Sequence, residues 1–180
     1  MLREDLLAKS HELLHQSENA KFFQAAAVVE AKGYGHWPRV REIAELCKAM
    51  NYKRLGLAFC IGLQKEALAF SSLMREHDIE VVSTVCKVGA TPKEDFGIGE
   101  ESKIRPGTFE VICNPIAQAL YLNEQQVPLN VILGLCVGHD ALFVKYATAF
   151  TVVLAAKDRV LAHNPLGALY AANYCLGLKD

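Results

Sequence analysis

A chain of 180 residues falls in the size range of one domain, and a hydrophobic content of 52% supplies a substantial core. Nineteen basic and twenty acidic side chains leave a formal charge of -1 and a pI near 6.6. That balance offers no broad attraction for nucleic acid or anionic lipid, and no basic run of five residues supports either partner.

The N-terminal stretch is charged and amphipathic and lacks the apolar segment and small-residue cleavage site of a secretory signal, which predicts a cytoplasmic protein. Apolar spacing predicts helices over about 4–15 (Leu6, Leu7, Leu13, Leu14) and 20–31 (Phe22, Phe23, Ala26, Ala27). "KGYGHWPRV" breaks the second of them. Pro38 suits the first turn of a third helix, whose apolar face is Val40, Ile43, Ala44, Cys47 and Met50.

Past Tyr52 the pattern changes to short apolar runs at 55–60, 79–86, 130–136 and 150–156, read as strands buried on both faces. None approaches the roughly 20 apolar residues of a membrane span. "FEVIC" (109–113) suggests a short fifth strand. Helical segments at about 63–77, 115–123, 140–146 and 165–174 alternate with the strands. Such alternation predicts one α/β domain: residues 1–50 form a helical segment, and residues 51–180 a mostly parallel open sheet of four to five strands with helices on both faces. The stretch "KVGATPKEDFGIGEESKIRPG" (87–107), rich in Gly, Pro and charge, reads as a long surface loop able to cover a site.

Six cysteines in a cytosolic-type chain favour metal or thiol chemistry over a disulfide scaffold. Cys60, Cys86 and Cys136 end predicted strands, and Cys113 ends the short one. The carboxyl ends of parallel strands share one edge, where ligands bind, so these four thiols are candidate metal ligands in one cleft. Cys47 and Cys175, on predicted helices, read as core. Helix N-termini lower thiol pKa values toward roughly 3.5–7.5, an effect expected at Cys60, Cys113 and Cys136. Four thiolates on a divalent ion leave about two negative charges, which Lys87, Lys157 and Arg159 are placed to offset.

"ICNP" (112–115) and "AHNP" (162–165) each put a potential ligand before Asn and Pro at a helix start. Asn114 and Asn164 therefore read as helix caps, or as cofactor contacts beside Cys113 and His163. His139 and His163 are candidate acid–base groups, and Asp140 either orients an imidazole or caps its own helix. Glu30, Tyr34, Trp37 and Arg39 form a helix-loop-helix corner or, alternatively, one wall of the cleft.

Taken together, "AFCIGLQKEA", "CKVG", "CNPIAQA", "GLCVGHDALF" and "KDRVLAHNP" resemble domain-of-unknown-function family 1847, over about residues 30–170. Members are commonly labelled metal-binding, and the resemblance implies cytoplasmic proteins of bacteria and archaea, many of them anaerobes. Related chains often begin with an additional cysteine-rich segment, whereas this one opens on a helical pattern. The case for a metal therefore rests on Cys60, Cys86, Cys113 and Cys136.

Three readings follow. The first is a cysteine-ligated metal or iron–sulfur site, with an iron–sulfur cluster preferred to zinc because no C-x2-C pair occurs. The second is a metal-free thiol enzyme with Cys136 or Cys86 as nucleophile and a neighbouring histidine as base. The third is a non-catalytic module that binds or senses a small ligand. All three leave room for an anionic small molecule and a homo-oligomer, and the sequence does not decide whether the protein is an enzyme.

Overall fold

Strand residues that alternate between two buried faces build the centre of the molecule, seen in a computed structural model that describes residues 3–171. The strands are β1 (Arg54–Phe59), β2 (Glu80–Val85), β3 (Leu129–Leu133) and β4 (Phe150–Ala155). All pair in parallel, in the order β2-β1-β3-β4. The helices are α1 (Glu4–Leu14), α2 (Ser17–Gly33), α3 (Arg39–Ala49), α4 (Gln64–Glu76), α5 (Pro115–Glu124), α6 (His139–Tyr146) and α7 (Leu166–Tyr170). No helix among the described residues is long and apolar enough to cross a membrane. The α/β class, the parallel sheet and the N-terminal helical segment stand as the sequence predicts.

Side chains on successive strand positions point to opposite faces, so β1, β2 and β3 feed two cores, whereas the edge strand β4 packs on the first face only and leaves Val153 exposed, against the two-faced burial expected for 150–156. Leu55, Leu57, Leu129, Val131 and Leu133 pack with Ile43, Cys47, Phe70 and Met74 on one face. Ala58, Val82 and Ile132 pack with Ala119, Leu122 and Phe143 on the other. Cys47 is fully buried in the first core, and burial pushes its thiol up to about 12. It is a core residue, as expected; Cys175 lies outside the described residues.

Helix α5 approaches β1 closely because position 56 has no side chain. A Cβ on Gly56 would stand 2.5 Å from Oδ1 of Asn130 and 2.9 Å from Cδ1 of Leu122, both fully buried. Gly56→Ala should therefore cost about 1–3 kcal/mol and lower Tm by roughly 2–12 °C in a melt followed by circular dichroism. An unchanged melt would mean that α5 is free to shift.

Three expectations change. "FEVIC" forms no strand: Val111 makes an isolated antiparallel bridge with Pro92, and Phe109 is exposed. The leucines of α1 bury nothing, and Leu6, Leu7, Leu13 and Leu14 are all exposed, because α1 packs chiefly against α2 and not against the sheet. The 87–107 segment is a loop, but an organised one. Two short 3-10 turns, 93–96 and 100–102, are held by the buried Lys103, whose ammonium meets both Glu94 and Glu100 and donates to the Thr108 carbonyl at 3.0 Å.

Candidate functional site

The strand ladders run one residue past the strands and thereby set two thiols side by side. The Cys60 N–H donates to the Leu133 carbonyl (3.1 Å) and the Cys86 N–H to the Phe59 carbonyl (2.9 Å). Both positions continue the parity of Ala58, Val82 and Thr84, so both side chains face α5 and α6. The Asn114 N–H donates to the Cys86 carbonyl (2.8 Å), which moors Cys113 alongside. β3 stops at Leu133, not at Cys136 as the apolar run suggests, because Gly134 (φ +67°) turns the chain. The turn delivers Leu135 and Cys136 over the edge, where the Cys136 carbonyl accepts from the His139 and Asp140 N–H groups at 2.9 and 3.1 Å.

Cys60, Cys86, Cys113 and Cys136 consequently line one small pocket with Pro115, Gln118, Leu135 and His139. All four thiols are free. The pocket is closely packed, with no room for a water molecule, and the thiols lean on one another in a row: Cys60 against Cys86, and Cys86 against Cys113. Among the described residues, no three His, Cys, Asp or Glu side chains are disposed to hold a metal ion as they stand.

Within the row, charge collects at one end. Donation toward Cys86, then burial, pushes Cys60 up to about 12, against the lowering expected at a helix start. Cys86 in turn donates to Cys113 and is itself raised, although it accepts from Cys60 and from the Ile61 N–H at 3.4 Å. Cys113 only accepts; this contact, with the nearby Lys87 ammonium, outweighs its burial and brings it down to about 7.

The three expected cations surround the sulfurs. Arg159 donates from Nη2 to Sγ of Cys136 at 3.2 Å. Lys157 lies by Cys60 and reaches toward Gly62, and Lys87 lies by Cys113 while donating to the Val111 carbonyl. His139 lines the pocket; the other predicted polar residues do not. Asn114 caps α5 by accepting from the Ala117 N–H at 2.9 Å. Asn164 caps nothing with its side chain, because α7 begins after Pro165 and only the Asn164 carbonyl accepts, from Gly167. Nδ1 of His163 accepts from the Asp158 N–H at 3.1 Å, which ties up a tight loop in which His163 itself has φ +64°. The Asp140 carboxylate accepts from the adjacent Ala141 N–H, and the residue before α6 is Gly138.

The corner at 30–41 is elsewhere. Trp37 fills the space over Gly33 under the Arg41 guanidinium, 4.8 Å from the ring centre, while Glu30 and Arg39 line a separate cleft beside Val152.

Gln118 is the pocket residue that sequence reading misses. Helical spacing in "CNPIAQAL" gives no sign of it, yet its side chain is fully buried. Its Nε2 donates to the Thr84 carbonyl (2.8 Å) and to the Phe59 carbonyl (3.4 Å), clamping the ends of β2 and β1, and Oε1 is left without a protein donor. Gln118→Leu should cost about 1–3 kcal/mol through the loss of both hydrogen bonds, the Phe59 carbonyl keeping the Cys86 N–H, read by urea denaturation. It should also broaden labelling from Cys113 to Cys86 as the strand ends loosen.

Comparison with known proteins places this arrangement. The chain is 44% identical over 178 residues to "Uncharacterized protein MJ0455" of Methanocaldococcus jannaschii, covering 99% of this chain and 90% of the relative. The family model described as "Protein of unknown function (DUF1847)" matches residues 1–154 and so takes in all four strand-edge thiols. The chain belongs to that family.

Proposed function

We propose that the four-thiol pocket holds a thiophilic metal, as a single ion or as an iron–sulfur cluster. The observation behind this reading is that four separate segments each bring one thiol to one pocket at the carboxyl edge of a parallel sheet, with no carboxylate among the described residues that line it. Soft sulfur donors suit zinc or iron. Zn–S bonds of about 2.3 Å put neighbouring sulfurs about 3.8 Å apart, which is thiol contact, whereas a cluster holds them farther apart and needs the pocket to open. The donor type suits one ion; among the described residues no three side chains are disposed to hold it as they stand, so loading replaces the shared protons and requires the side chains to turn inward. Lys87, Lys157 and Arg159 offset the charge of the thiolates. When bound, a divalent ion supplies Lewis-acid or structural chemistry.

The test is elemental analysis, acid-labile sulfide and an absorption spectrum on protein purified anaerobically. We expect about one zinc or iron atom per chain, falling on the order of 10-fold or more in apparent affinity in Cys86→Ser. Metal-free protein that takes up neither ion, with no protons released on titration, overturns the reading.

One observation favours a second reading, metal-free thiol chemistry. Cys113, brought down to about 7, also faces an open cleft, as Cys60 and Cys86 do not. In that reading Cys113, and not Cys136 or Cys86, is the nucleophile.

A further inference from the structure

Above the thiol pocket lies a second cavity of about 460 Å³, floored by Cys113 and Cys136. Its volume suits a small molecule. The organised 93–104 loop makes one wall, and Lys103 locks that loop in place. Ile98, Ile104 and Ile112 supply an apolar side.

Its charge is one-sided. Lys87, Lys93 and Arg159 line it, with His139, and among the described residues no carboxylate does. Lys93 is neutralised from outside by Glu110 at 2.7 Å. Among the described residues the other two cations have hydrogen-bonding capacity to spare: there Lys87 donates once, to Val111, and Arg159 once, to Cys136, out of three and five N–H groups. A planar guanidinium beside an apolar wall matches a carboxylate on an apolar body, since the fork of N–H groups pairs with both oxygens.

We infer that this cleft binds a small organic carboxylate and presents it to Cys113. The inference goes beyond the metal reading and does not depend on it.

Iodoacetate, a small carboxylate that alkylates thiols, is the probe, with neutral iodoacetamide as its match. Their rate ratio at one sulfur cancels the thiolate fraction, so a shift in the Cys113 pKa does not disturb it. On chelator-treated full-length protein, mass spectrometry should give an iodoacetate to iodoacetamide ratio at Cys113 at least 5-fold above that of a small neutral thiol in the same buffer. Benzoate should slow labelling, and benzamide should not. In Arg159→Gln, and further in Arg159→Gln with Lys87→Met, the ratio should fall to the reference; circular dichroism checks the fold. A wild-type ratio equal to the reference, protection by phosphate but not benzoate, or a ratio unmoved in a folded Arg159→Gln overturns the inference. Metal content measured on the same preparations separates this failure from failure of the metal reading. Should the double variant not fold, Arg159→Gln and the benzoate competition still decide.

Discussion

Iodoacetamide at pH 7 should modify Cys113 of the chelator-treated protein on the order of 100-fold faster than Cys60 or Cys47. The expectation follows from thiolate populations. With Cys113 at about 7, half of it is ionised at that pH; at about 12, roughly one part in 100,000 of Cys60 or Cys47 is. Thiolates of higher pKa are better nucleophiles, with a Brønsted slope of about 0.4–0.5, which returns a factor of roughly 100–300 to the buried pair. The net preference still belongs to Cys113, and exposure adds to it. The rate should rise with pH to a midpoint near 7 and then level off. Because contact with Cys86 is the largest cause of the lowering, Cys86→Ala should move that midpoint upward, toward the ordinary thiol value. A midpoint above 8.5 in the wild type, or one unmoved by Cys86→Ala, would show that the row of thiols does not share protons in the direction described.

These shifts also act on stability, with opposite signs. Cys113 is depressed from 9.0, so the unfolded chain binds the extra proton between about 7 and 9, and stability from this group grows across that window and is lost on acidification through 7. Cys60 and Cys47 are raised from 9.0, so their contribution is complete below about 9 and declines as pH climbs to about 12. Alkaline unfolding should therefore set in above about pH 9.

Gly134→Ala should be the most damaging single methyl in the described chain, costing roughly 2–5 kcal/mol. Left-handed backbone at a residue with a Cβ accounts for about 1–2 kcal/mol of this. The rest is overpacking, because the new methyl would lie 2.1 Å from Cδ1 of Leu63 in the core, a side chain too buried to swing away. Loss of site geometry should accompany loss of stability, since this turn carries Cys136 to Arg159. Zinc uptake, or Cys136 labelling, should drop even where the variant remains folded. A variant with wild-type urea midpoint and wild-type Cys136 reactivity would show that the β3 edge tolerates another route to the pocket.

The sequence by itself determined the α/β class, the four strands, the core role of Cys47 and the placement of a thiol just after each of several apolar runs. These features are local: apolar period, run length and the placement of Cys after each run follow from spacing along the chain. What only the tertiary structure decided was order and direction. The arrangement β2-β1-β3-β4 makes Cys60 the neighbour of Cys86, and the bond from the Asn114 N–H to the Cys86 carbonyl brings Cys113 beside them. Contact with Cys86, with Lys87 nearby, then makes Cys113 the thiol lowered toward 7. Sequence spacing also placed His163 and Asn164 at the site, whereas the left-handed turn at 162–163 commits them to their own loop. Gln118 was invisible because a polar residue on a helix looks solvated until two strand carbonyls are found within its reach. Local pattern fixes which face a residue takes; contacts between distant segments, and the charges and protons they share, are settled only when the chain has closed.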